Sequence, residues 1–97
     1  MFTVETREGR RMLIAALETE GIRAYDWDSG GGIHFVCVDL PLLDDRWVAV
    51  AVGSNGAPCE VGVLSDDECV QSQFGWTPCS TISDVVGMIR SARAAAA

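Results

Sequence analysis

One histidine, four cysteines and fourteen carboxylates are the groups in this 97-residue chain with the most obvious capacity for chemistry. The histidine is His34, and the cysteines stand at 37, 59, 69 and 79. A zinc site draws its ligands from closely spaced pairs such as Cys-x-x-Cys. Here the cysteines are 22, 10 and 10 residues apart, and no such pair exists. A cysteine nucleophile needs a base and an oxyanion site within reach. Cys79 precedes a predicted helix start at Ser80-Thr81, a location that favours the thiolate, but the one histidine lies 45 residues earlier. Packing, or service as a mildly reactive surface thiol, is the expectation for Cys79. Alternation puts His34 on one strand face with Val36 and Val38, as a partly exposed structural residue.

Phosphate chemistry fares no better. Ser29-Gly30-Gly31-Gly32 joins two predicted strands, whereas a phosphate loop joins a strand to a helix and carries a lysine. The chain has no lysine; all seven basic residues are arginine. Ser80 to Ser83 could present helix amides to an anion, without a glycine-rich loop to support them. Adjacent acids such as Asp44-Asp45 lack calcium-loop spacing. No catalytic residue, metal or cofactor is expected, and the chain reads as non-enzymatic.

The carboxylates are unevenly placed. Residues 1–23 carry four acidic and four basic side chains, residues 24–79 nine acidic and only Arg46 basic, and residues 80–97 one acidic and two basic. The whole net charge of −7 therefore derives from the middle of the chain. Asp26 and Asp28 close a predicted strand, Asp44 and Asp45 share a turn, and Asp66, Asp67 and Glu68 share another. Ordinary solvation of turns accounts for such acids. The functional alternative is a docking surface for an Arg/Lys-rich protein, one that itself handles DNA or RNA. A field of this sign repels nucleic acid and attracts basic surfaces.

Trp27, Trp47, Trp76 and Tyr25 could stack on bases, but stacking platforms come with basic grooves. Direct nucleic-acid binding is disfavoured. These aromatics are expected in the core or as anchors of a protein interface, with Trp47 the first candidate.

The elements that must hold these residues are legible. A helix is predicted over Arg7 to Glu20, capped by Thr6 and closed by Gly21. Strands follow at Ile22–Asp28, Ile33–Leu40, Arg46–Gly53 and Cys59–Leu64, with Asn55-Gly56 as a hairpin turn. A short fifth strand is placed at Cys69–Phe74 and a loop at Gly75–Ser80. A second helix runs from Ile82 to about Ala94, capped by Thr81. The fold class is α+β: one domain over 1–97, an antiparallel four- to five-stranded meander flanked by N- and C-terminal helices, α-β-β-β-β-(β)-α.

The central strands are apolar on both faces. Trp47, Ala49 and Ala51 alternate with Val48, Val50 and Val52, and Ile33, Phe35 and Cys37 with Val36, Val38 and Leu40. A sheet wet on one side alternates apolar with polar. Either one helix covers each face, giving a monomer, or both share one face and a partner or second copy covers the other.

No apolar run approaches the roughly 18 residues of a membrane span, and Met1 to Glu8 lacks the pattern of an export signal. A cytoplasmic protein with reduced thiols is expected. The arginine-only basic set, with many Ala, Gly, Asp and Val residues, has the look of a GC-rich bacterial or phage genome. The leading functional expectation is a small acidic interaction module that binds a basic, nucleic-acid-handling protein surface. By analogy alone, acidic inhibitors from phages and mobile elements, anti-CRISPR proteins among them, act this way. The alternatives are a small enzyme or ligand-binding domain with a pocket between sheet and helix, and a structural homo-oligomer such as a homodimer.

Overall fold

A computed structural model describes residues 2–28, 34–40, 46–53, 57–65 and 76–96. The element order is α1 (Arg7–Thr19), β1 (Tyr25–Asp28), β2 (His34–Asp39), β3 (Arg46–Val52), β4 (Cys59–Ser65), β5 (Thr77–Cys79) and α2 (Ile82–Ala96). The strands form one antiparallel sheet in the order β1-β2-β3-β4-β5.

Helix α1 forms where its caps and periodicity agree. The Thr6 hydroxyl accepts from the Gly9 amide at 3.0 Å, satisfying one of the unpaired donors of the first turn. Gly9, Arg10, Leu13 and Leu17 make the buried stripe. The helix ends at Gly21, whose φ of +76° only glycine adopts without penalty. There the Gly21 amide donates to the Glu18 carbonyl and the Ile22 amide to the Leu17 carbonyl, which closes the last turn. Gly9 has a second role. A Cβ there would lie 1.7 Å from the Thr3 carbonyl oxygen, so only glycine lets the leading segment cross the helix this closely. Thr81 caps α2 as expected, its hydroxyl accepting from the Asp84 amide at 3.1 Å.

Both helices lie on the same side of the sheet. α1 contacts β1 and β2, α2 contacts β3 and β5, and the helices touch each other. One cluster of buried side chains joins Leu13 and Leu17 of α1, Val85, Val86 and Ile89 of α2, and Val36, Val38, Val48, Val50, Val61, Cys59 and Cys79 of the sheet. The register explains the membership. Val36 pairs with Val50 and Val50 with Val61, while Val38 pairs with Val48, so the β-branched residues stack side by side beneath the helices. Burying each such side chain contributes about 1.5–3 kcal/mol. Of the two arrangements open from the sequence, the structure adopts the shared face, and among the described residues the Trp47 face carries no helix.

The loop expected at Gly75–Ser80 holds a strand. Residues 69–74 lie outside the described residues, and the strand forms at Thr77–Cys79, inside the expected loop. Pro78 pairs with Glu60 there. Proline cannot donate to a ladder, but β5 is an edge strand and needs no donor on its outer side. β1 begins three residues later than expected, because Ile22 is used to close α1. The Asn55-Gly56 turn lies outside the described residues; the strands beside it pair in the register such a turn requires, from Val52–Cys59 to Arg46–Ser65.

Candidate functional site

The helix-free face is built from the odd-numbered residues of β1, β2 and β3 and the even-numbered residues of β4 and β5. Across the sheet, Tyr25 pairs with Cys37, Cys37 with Ala49, and Ala49 with Gly62. Trp27 pairs with Phe35, and Ala51 with Glu60, which in turn pairs with Pro78. Asp39 pairs with Trp47, and Trp47 with Leu64. The middle of this face is a floor of small side chains, Cys37, Ala49, Ala51 and Gly62, flanked by aromatic ones.

Those aromatics form a row. The Trp27 and Phe35 ring centroids are 5.6 Å apart with planes inclined by 19°. The Phe35 and Trp76 centroids are 6.5 Å apart at 17°. Phe35 belongs to β2 and Trp76 leads into β5, so their rings meet across the intervening strands β3 and β4. Only a floor of Ala and Gly leaves room for that. Cys37, Ala49 and Leu64 are fully buried yet stand outside the helix-covered cluster. Trp27, Phe35, Trp47 and Trp76 remain partly exposed.

The charge on this face is of one sign. Its described residues include Asp39 and Glu60 and no Arg, Lys or His. The Tyr25 hydroxyl donates to the Asp39 carboxylate at 3.1 Å. Burial foremost, and then this bond, pushes the Tyr25 phenol up to about 12. Burial also pushes the Cys37 thiol up to about 12, with the Asp39 and Asp26 charges adding to it.

Of the residues singled out from the sequence, Tyr25, Trp27, Trp47 and Trp76 are found on this face. Asp26 and Asp28 occupy the helix side of β1, in register with Val36 and His34. Asp26 is engaged: its Oδ2 accepts from Arg10 Nε at 2.9 Å and its Oδ1 lies 3.4 Å from His34 Nδ1. Asp44, Asp45, Asp66, Asp67 and Glu68 lie outside the described residues. Sequence reasoning grouped Phe35 with the Trp47 face but missed Asp39 and Glu60. Alternation from Trp47 across the hairpin would have put Glu60 on its side of the sheet, and the same alternation along β2 puts Phe35 and Asp39 with Cys37.

The described cysteines are poor candidates for chemistry. Cys37, Cys59 and Cys79 are free thiols and buried. Burial raises Cys59 to about 11, and raises Cys79 as well. Cys79 is thus no surface thiol, and its environment opposes the thiolate despite the nearby helix start; its Sγ lies 3.2 Å from Met88 Sδ. The broader surface depressions, at Arg7, Arg11 and Met12 on α1 and at Glu20, Ser83 and Arg90 between the helices, involve neither His34 nor Cys79. Among the described residues, no three His, Cys, Asp or Glu side chains are grouped to hold a metal. No helix of the described residues is long and apolar enough to cross a membrane. No family model, curated protein or solved structure matches the chain.

Proposed function

We propose that this chain is a non-enzymatic, cytoplasmic interaction module that binds a basic surface on a nucleic-acid-handling protein, using the helix-free face of its sheet. The observation that carries the reading is the coincidence, on one face, of partly exposed aromatic rings with acidic side chains and, among the described residues, no basic ones. Aromatic residues anchor protein interfaces, and acidic groups around them select a basic partner and speed its encounter. By occupying a surface that otherwise holds DNA or RNA, the module would act as an inhibitor, as proteins of phages and mobile elements do.

Self-association through this face is the weaker reading. A two-fold dimer would bring Asp39 and Glu60 of both copies into one interface, and like charges held together cost free energy. A basic partner turns the same charges into an attraction.

The test is capture from the source cell by the wild-type chain and by a chain carrying Asp39→Asn and Glu60→Gln. The reading expects a basic protein retained by the wild type, released at raised salt, competed off by nucleic acid and lost with the double variant. Retention indifferent to both salt and the double variant would contradict it.

A further inference from the structure

We propose that the helix-free face reads arginine in preference to lysine, its rings stacking on the guanidinium groups of an extended segment of the partner; this rests on the interaction reading above. A guanidinium is planar and weakly hydrated, stacks on aromatic faces and pairs with carboxylates as a fork, whereas an ammonium is a compact, strongly hydrated point charge. The face offers both halves of that recognition, twice. At one position the Trp27–Phe35–Trp76 row supplies successive near-parallel rings. Glu60, which pairs with Ala51 and Pro78, stands on the strands this row spans. At the other, Trp47 pairs directly with Asp39, whose carboxylate Tyr25 already orients.

The two positions have a defined spacing. Along β3 they are marked by Ala51 and Trp47, four residues apart, or about 13 Å at the rise of a strand. An extended partner segment covers that distance in four of its own residues and points both side chains the same way. Bases could also stack on these rings, but their phosphates would meet Asp39 and Glu60 with no basic side chain among the described residues of the face.

The experiment titrates the intact chain with nona-arginine and nona-lysine peptides and with a single-stranded oligonucleotide, following tryptophan fluorescence and calorimetric affinity. Nona-arginine is expected to bind about tenfold or more tighter than nona-lysine, since each ring contact is worth about three- to fivefold. Trp76→Leu and Phe35→Leu keep apolar cover but remove a ring; circular dichroism and unfolding midpoints identify which of them keeps the fold. In a folded ring variant, which keeps the Trp47 position, the preference for nona-arginine should shrink about three- to fivefold, with nona-lysine unchanged. Glu60→Gln should weaken both peptides. Equal affinities in the wild type, or an arginine preference undiminished by loss of the ring, would overturn this inference, and acid-dependent binding of both peptides would leave the basic-partner reading standing. Failure of both peptides to bind, or ring-dependent binding of the oligonucleotide, would overturn both.

Discussion

Arg10 Nε stands 2.9 Å from Asp26 Oδ2, tying the opening turn of α1 to the edge strand β1. The same guanidinium donates through Nη1 to the carbonyls of Val4 and Glu5, at 3.0 and 3.2 Å. At 6% exposure Arg10 is a buried charge surrounded by acceptors, and three elements depend on it. Arg10→Ala should therefore cost about 2–4 kcal/mol in urea unfolding, because it leaves the buried Val4 carbonyl without a donor. Arg10→Lys should recover little, since an ammonium cannot serve three acceptors in a fork. Asp26→Asn, at a part-exposed carboxylate, should cost about 1 kcal/mol or less and leave binding of basic peptides unchanged. Loss of peptide binding in that variant would return Asp26 to the interface.

The glycines give a paired prediction of opposite sign. Gly87 lies in α2 with nothing near where a Cβ would go. Gly87→Ala should stabilise by about 0.5–1 kcal/mol, the helix propensity difference. Gly9→Ala, with the Thr3 carbonyl in the way, should destabilise strongly and release the leading segment from α1. Thermal unfolding of the two variants checks both signs at once.

Caps and periodicity made the helices legible. Thr6, Thr81 and Gly21 do what their residue types predict. The strands were legible from β-branched alternation and the Asn55-Gly56 turn. What alternation could not settle was which face the helices take, because both faces of β2 and β3 are apolar. The physical distinction lies in shape: Val36, Val38, Val48 and Val50 make an even surface for helices, while Ala49, Ala51 and Gly62 leave hollows that large rings cross. β5 escaped because three residues containing Pro78 read as a loop, and only pairing with β4 makes them a strand. The acidic turns drew attention by charge density, whereas Asp39 and Glu60 are single acids whose shared face depends on register. That is tertiary information.

Raising the pH should weaken the fold in a specific window. The folded-state values of Cys37 and Cys59, about 12 and about 11, lie above the ordinary 9.0. Between those limits the unfolded chain has lost thiol protons that the folded chain keeps. Their contribution is thus fully present below pH 9 and is lost as pH rises through about 11 to 12. Urea midpoints should hold steady from pH 7 to 9 and then fall. For the same reason a thiol reagent at pH 8 should label Cys37, Cys59 and Cys79 slowly in the folded protein and quickly in urea. Rapid labelling of Cys79 in the folded state would show that its surroundings do not suppress the thiolate.

Charge should also keep copies apart. Asp39→Asn with Glu60→Gln removes the repulsion from a face rich in aromatic rings, so light scattering should show one chain for the wild type and self-association for the double variant. Added salt should push the wild type the same way by screening. A wild-type dimer at low salt would contradict the assignment of this face to a basic partner.

The most direct test follows the indole and amide signals of the ¹⁵N-labelled chain during titration with nona-arginine. Docking on the helix-free face predicts that the indole N–H signals of Trp27, Trp47 and Trp76 move together with the amides of Asp39 and Glu60, while Met12 of α1 and Arg90 of α2 stay in place. Movement confined to the helices, with the three indoles unchanged, would contradict it.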